Sequence, residues 1–571
     1  MKLKIFALIS VCMVALVGCQ EDFLEKPPLD RLTDETYWTN ESNVRTFAWG
    51  FYPAYFSGYG SGYAWGKFFT GQSLNDDFAP TNPTQFRINV PSAASSSYWT
   101  FSWVRKANIF LNRIQTVPME EEAIAHWSGV ARFFRALEYY DLVKQFGDVP
   151  WFGEELSDTD MEQLYKPRDP RDLVMDRVLE DFQFAAENVR LSDGTKGLTV
   201  NRATVLAFMS RAMLYEGTWQ KYHEGNNEKA KTYLEAAKWA ANEIMESGDY
   251  SLDNYREVFN SLNLAGNPEV ILFRQYEVGL LTHALNSYNN MEPQTGVSKD
   301  AIDSYLASDG LPIAVSPLYK GDKGIDNVMA DRDPRLHETV VPYELRLNGI
   351  SVNFSTSGYA THKFLNEDIK DLPEGSSSLN PTDAPVMRYG EILMNYAEAV
   401  AELATVGGPG MTQEDLDRSI NVLRARPGIA MPDLQVFGGQ PAVNGQVYDD
   451  PNRDESVPSL IWEIRRERRI ELMMEGFRLD DLKRWKKLDY VDTEENVNIN
   501  RGAWIKRADY PELQSSVTLT NGEEGYIIPS TSAASMRRFT DPKVYLEPIP
   551  LDQIALYKEN GVSLDQNPGW E

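Results

Sequence analysis

The chain has 571 residues, 42% hydrophobic and 12% aromatic, enough for a large core or for several packing units. Its formal charge is −28, and loss of residues 1–18, which carry Lys2 and Lys4 and no acid, takes it to −30. That balance excludes charge-driven docking on nucleic acid or on an anionic membrane surface and leaves a neutral ligand such as a glycan compatible.

The first residues read as a leader. Lys2 and Lys4 precede an apolar run from Phe6 to Val17, which suits a signal peptide and falls short of the about 20 residues a membrane-spanning helix needs. No later segment approaches 18 uninterrupted apolar residues. Leu16, Val17, Gly18 and Cys19 match the lipobox of bacterial lipoproteins, in which the thiol takes a diacylglycerol and cleavage falls before the cysteine. Each buried CH₂ of the acyl chains contributes roughly 0.8 kcal/mol to anchoring. A plain secretory signal that happens to contain a cysteine is the competing reading. Cleavage removes Cys12, so the mature chain would hold one lipidated cysteine and no disulfide. Residues 19–40, with Pro27 and Pro28, read as a tether.

From 41 onward the pattern is mostly helical. Amphipathic spacing predicts helices over 95–117 and 121–151, the second stopped by Gly147 and Pro150. A third, over 169–189, starts at an Asp169 cap with Pro170 in its first turn. Residues 201–222 and 227–252 form a pair with Ala203, Ala207, Ala236, Ala237 and Ala240 at close-packing positions. Residues 384–404 and 414–429 form another, and 458–485 one long helix with its sequel. The spacing is that of degenerate tetratricopeptide repeats. Loop insertions near 57–97, 261–383, 430–456 and 490–545 are long for connections and so point to function. The expected architecture is one mostly α domain over 41–571: about four helix pairs in a tetratricopeptide-like scaffold, with long irregular loops and little β structure.

Catalytic motifs are sparse. His126, His223, His283, His337 and His362 include no H-E-x-x-H pair, and "GYGSGY" (58–63) places Tyr59 where a nucleophile elbow needs glycine. No cofactor is expected. Calcium ligation by "GDKGIDN" (321–327) is the one metal reading, without an EF-hand pattern. Arg465, Arg466, Arg468 and Arg469 alternate with Glu463, Glu467 and Glu471, with Glu463–Arg466 and Arg468–Glu471 three apart. They read as a structural ion-pair network rather than a basic patch. Asp309-Gly310 reads as a turn.

The 13 Trp and 28 Tyr exceed what a core requires and point to exposed platforms on which sugars stack their C–H faces. In "FYPAYFSGYGSGYAWGKFFTGQSLNDDFAP" (51–80) and just beyond, Tyr63, Trp65, Asn75, Asp76 and Arg87 are ligand-binding candidates, while Phe51 to Phe56 finish a core helix. In "THALNSYNNMEPQTG" (282–296) the candidates are Asn286, Tyr288 and Asn289, with Tyr319 further on.

Five stretches follow one another in order: "ARFFRALEYYDLVKQFGDVPW" (131–151), "AIDSYLASDGLPI" (301–313) with "DRDPRL" (331–336), "MRYGEILMNYAEA" (387–399) with "INVLRARPGI" (420–429), "IRRERRIELMMEGFRLDDLKRW" (464–485), and the tail ending "QNPGW" (566–570). As an ordered set they resemble the SusD/RagB family of outer-membrane lipoproteins. Glu21 and Asp22 after the cysteine resemble the export signal of surface lipoproteins. The resemblance implies a lipid-anchored, surface-exposed outer-membrane protein that binds glycan without catalysis. It also implies a partner, a SusC-like TonB-dependent transporter over which the lipoprotein sits as a lid. Peptide cargo, a helical-barrel glycan hydrolase and a pure assembly protein are the alternatives.

Overall fold

The computed structural model describes residues 34–571 apart from Gln72. The expected signal peptide, Cys19 and the first part of the tether lie outside the described residues. The helices that position the site are α1 (Glu41–Trp49), α2 (Ser102–Ile114), α3 (Glu121–Phe146), α4 (Arg171–Asn188), α5 (Arg202–Trp219), α6 (Asn227–Ser247), α7 (Tyr389–Leu403), α8 (Ile420–Arg424), α9 (Ser459–Glu471) and α10 (Arg478–Arg484). From α2 to α7 each packs on its chain neighbour, and α7 then packs on α9, the nearest-neighbour stacking of a helical repeat. The protein is mostly α, as the sequence pattern predicts.

Local chemistry sets the boundaries. Asn201 and Asn226 cap α5 and α6 by accepting from Thr204 N and Lys229 N. Gly147, at φ 72°, ends α3, and Asp148 Oδ1 accepts from Arg171 N at 2.8 Å at the start of α4. Between α5 and α6 the small residues work as expected: Ala207, Ala237 and Ala240 are fully buried, and a Cβ on Gly217 would lie 2.6 Å from Leu234 Cγ.

Four boundaries differ from the sequence reading. The helix predicted over 95–117 starts only at Ser102: Ala94–Ser96 is a single 3-10 turn and 97–101 is not helical, because Ser96 Oγ donates to Ala93 O and Ser97 Oγ accepts from Trp99 N, bonds that compete with an α-helix. Asp169 does not cap α4; Pro170 stands at that position, and the Asp169 carboxylate accepts from Trp151 N at 2.7 Å. Ala384–Arg388 is a strand paired antiparallel with Val270–Arg274, and α7 starts only at Tyr389. Residues 414–429 split into Gln413–Asp417 and α8.

The insertions are structured. Short antiparallel pairs join Phe78–Ala79 to Gly296–Val297, and Glu524–Ile528 to Trp504–Lys506 on one side and Thr518–Leu519 on the other. Their apolar residues form a second core around Tyr59, Phe69, Phe78, Tyr305, Phe364, Met474 and Ile527, beside the helical core.

Buried ion pairs join the two cores. Glu471 is fully buried and accepts from Arg335 at 3.1 Å, Arg388 at 2.8 Å and Arg426 at 2.8 Å. Arg335 also holds Asp333 and Glu467, and Arg388 holds Glu269 and Glu475. The Arg/Glu segment is thus a structural network, with one correction. Glu463–Arg466 pair within the helix at 3.1 Å, whereas Arg468 pairs with Asp481 at 2.9 Å and not with Glu471. The chain leaves α9 through Met474 at φ 67° and Gly476 at φ 83°. A Cβ on Gly476 would sit 2.5 Å from Lys67 O, so only glycine lets segment 57–70 lie on this turn.

Candidate functional site

Segment 57–70 folds into a hairpin in which Gly60 pairs with Trp65 and Ser61 with Ala64. Glycines make it possible. A Cβ on Gly60 would fall 1.9 Å from Ala64 O, and one on Gly66 would fall 1.8 Å from Gly58 O. Backbone bonds fasten it to the second core: Gly62 N donates to Thr282 O at 2.8 Å, Tyr276 Oη to Gly60 O at 2.8 Å, and Phe69 N to Met474 O at 2.7 Å.

The hairpin presents two aromatic rings. Tyr63 is 71% exposed and Trp65 46% exposed. Trp65 stands edge-to-face against Tyr288, centroids 4.9 Å apart at 85°, and Phe69 backs both at 5.9 and 5.0 Å. Tyr288, on the short helix Leu285–Asn290, is half-buried, and its hydroxyl accepts from Thr295 N at 3.3 Å. The Tyr63 hydroxyl bonds Ser377 Oγ, tying the hairpin to the 373–380 loop. The result is an exposed aromatic platform on a fixed base, able to stack an apolar face and with few groups to move on binding.

Of the sequence candidates, the structure brings together Tyr63, Trp65 and Tyr288. The others serve elsewhere. Asp76 is buried; burial pushes its carboxyl up, but Arg469 and Arg478 more than offset that and hold it below the ordinary value, with Arg478 donating at 2.6 and 2.7 Å. Asn75 is buried and accepts from Asp77 N at 3.2 Å. Asn286 and Asn289 lie under the platform, where Asn286 Oδ1 accepts from Asn366 N at 2.6 Å and Asn289 Oδ1 from Thr361 Oγ1 at 2.6 Å. These four are corrected to structural roles, since their acceptors are already taken. Arg87 pairs with Glu547 at 2.5 Å, and Tyr319 is half-buried beneath the Arg332 guanidinium, 5.7 Å from its ring centroid. Ser377 and Phe69 were missed. Glycine spacing around an exposed ring hints at Phe69, and nothing in the sequence points to Ser377.

No catalytic constellation forms at the hairpin. His283 beneath it is fully buried, and burial lowers its pKa to about 4, so it is a neutral ring bonded to Thr382 O at 2.9 Å. In the 321–327 loop, Asp322 accepts from Tyr526 Oη at 2.6 Å and pairs with Lys299 at 3.0 Å. Among the described residues no group of three or more His, Cys, Asp or Glu side chains gathers as a metal site.

The architecture is a helical-repeat scaffold with a second core of insertions that carries an exposed aromatic hairpin. The chain belongs to the SusD family, whose model matches residues 244–570; a second model, described as starch-binding and associating with the outer membrane, matches 63–214. It is similar to SusD-like protein P38 of Formosa agariphila, 23% identical over 511 residues, covering 85% of this chain and 92% of that one. It is also similar to SusD-like protein P2 of the same organism, 22% identical over 555 residues, covering 90% and 98%. The fold matches a SusD-like carbohydrate-binding protein of Bacteroides fragilis, with TM-score 0.67, 24% identity, and 91% and 98% of the two chains covered. It also matches a laminarin-binding SusD-like protein, with TM-score 0.57, 19% identity, and 93% and 100% covered.

Proposed function

We propose that this protein is a non-catalytic glycan-binding lipoprotein of the outer-membrane surface, anchored through Cys19. It captures oligosaccharide on the Tyr63–Trp65 platform and delivers it to a SusC-like TonB-dependent transporter. The observation that carries the reading is the pair of exposed rings held on a glycine hairpin and backed by Tyr288 and Phe69. Sugars offer such rings an apolar C–H face while their hydroxyls stay hydrated, so stacking costs little desolvation. The carbohydrate-binding and laminarin-binding relatives of the same fold, and the starch-binding description of the matched model, support the glycan class.

Native affinity electrophoresis of the full chain in detergent, against a panel of neutral polysaccharides with reducing-sugar release assayed in parallel, tests this. Retardation by at least one glycan without release is expected, and Trp65→Ala should abolish it while changing stability by no more than about 1 kcal/mol. Release of reducing ends would replace the reading with a hydrolase. Absence of retardation by any glycan would overturn the glycan class in favour of peptide cargo.

A further inference from the structure

A second face of α9 looks onto a cavity of about 550 Å³, walled by α10 and by segments 300–314, 450–454 and 490–498. Glu467 and Glu471 of α9 turn into the buried network, whereas Trp462, Arg465 and Arg469 line this cavity. None of Tyr63, Trp65 and Tyr288 lines it, so it is separate from the platform. Its volume lies within the range of ligand pockets.

Among the described residues the lining carries five aspartates, five arginines and no other charged side chain, so its formal charge is zero in a chain of charge −28. Such a lining favours neither an anion nor a cation. Its side chains are held in place without being saturated. Arg465 is 5% exposed and lies over Trp485 at 4.3 Å and Tyr222 at 5.1 Å. It donates one hydrogen bond, from Nη2 to Glu402 Oε1 at 3.1 Å, and its Nε and Nη1 have no partner among the described residues. Asn498 Oδ1 accepts from Arg501 at 3.2 Å, while the amide nitrogen of Asn498 donates to no described residue. Asp303 Oδ2 accepts from Lys299 at 2.5 Å, while Oδ1 accepts from none. Free donors and a free acceptor thus line one neutral cavity. An ion serves one kind and opposes the other; a hydroxyl both donates and accepts, so it serves both. Two pinned aromatics complete the wall: Trp462, half-buried with Nε1 on Asp450 at 3.4 Å, and Tyr490, whose Oη donates to Asp454 at 2.6 Å. Groups already held by the protein lose little freedom when a ligand arrives.

We propose that this cavity is a second saccharide site, which takes a neutral sugar unit against Trp462 with its hydroxyls on Arg465, Asp303 and Asn498. The saccharide part of the proposal rests on the glycan reading above. The neutral lining sets the class: a polyhydroxylated ligand without net charge, whose apolar C–H side meets the aromatic wall.

The test is calorimetric titration of the full chain in detergent with neutral hexasaccharides: maltohexaose, laminarihexaose, mannohexaose and xylohexaose. At least one is expected to bind at two sites per chain. Trp65→Ala should remove the platform site and Ala314→Trp the cavity site, each variant keeping the other. Ala314 is exposed and lines the cavity, so the larger ring fills it without touching an ion pair, and the unfolding midpoint should stay unchanged. Arg465→Met should weaken the site that survives Trp65→Ala roughly tenfold or more. A single site that is lost in Trp65→Ala, two sites that persist in Ala314→Trp, or full affinity in Arg465→Met would overturn the cavity and leave the platform standing. A single site that survives Trp65→Ala and is lost in Ala314→Trp would support the cavity and sink the platform. No binding by any hexasaccharide would overturn the saccharide reading of both.

Discussion

Glu471 is the point at which the ion network can be weighed. Its carboxylate is fully buried and serves three arginines, Arg335, Arg388 and Arg426. Burial pushes the carboxyl up, but Arg426, Arg388 and Arg335 outweigh it and hold the pKa at about 2. Set against an ordinary value of 4.5, this corresponds to about 3 kcal/mol of stability. The sign is that of a depressed carboxyl: the contribution is complete above 4.5 and is lost as pH falls toward about 2. Glu471→Gln keeps the shape and removes the charge, leaving the three guanidinium groups short of one counter-charge in a dry interior. Removing one partner of a buried ion cluster costs about 3–5 kcal/mol. Urea unfolding followed by tryptophan fluorescence near neutral pH should show that loss. The gap between variant and parent should then narrow as pH drops toward about 3, because the parent loses the same term. A variant within about 1 kcal/mol of the parent at neutral pH, or a gap that does not change with pH, would refute the network's role in joining the two cores.

Burial raises the Glu138 carboxyl to about 7 while Tyr55 Oη donates to it at 2.6 Å. Its contribution is therefore present below 4.5 and lost as pH rises through about 7, so Glu138→Gln should gain up to about 3 kcal/mol over the parent in mildly alkaline urea melts and match it near pH 4. Gly476→Ala meets a left-handed φ that alone costs about 1–2 kcal/mol, and its methyl would collide with Lys67 O; a lowered thermal midpoint with weakened polysaccharide retardation is expected. Cys19→Ala should move the protein from the membrane to the soluble fraction on fractionation, and an unchanged membrane fraction would sink the anchor.

Where one physical signal dominated, the fold was legible. Helix periodicity and the Asn201, Asn226 and Gly147 boundaries depend on residues close in sequence, so they could be read directly. The 384–388 strand could not, because its apolar run fits a helix start equally well and only Val270–Arg274, over a hundred residues earlier, makes it a strand. In the Arg/Glu segment helical spacing gives the Glu463–Arg466 pair but not the partners of Arg468, which reaches Asp481, nor of Glu471, which reaches Arg335, Arg388 and Arg426 from other elements. At the platform, glycines near aromatics marked Tyr63 and Trp65 because exposure on a hairpin is a local property. Asn286 and Asn289 look the same in sequence as sugar-binding amides, and only the chain crossing at Asn366 and Thr361 turns them inward.

The buried network and the exposed hairpin form one mechanical unit. The turn that ends α9 contributes Met474 O to Phe69 N and gives Gly476 as the floor under Lys67, and the same turn supplies Glu475 to Arg388. A ring on a free loop would give up conformational entropy on binding; here that entropy is surrendered at folding, and the ion pairs that fix the turn fix the ring. The buried cluster is neutral, five cations (Arg335, Arg388, Arg424, Arg426, Lys363) against five carboxylates (Asp333, Glu269, Glu467, Glu471, Glu475), so the excess of 28 acids lies outside it, while Tyr63 and Trp65 stand on the base it fixes. A substitution deep in the network, far from any ligand, should therefore weaken binding in proportion to how far it loosens the 472–477 turn, whereas one that destabilises only the distant α5–α6 pair should lower stability and leave affinity alone.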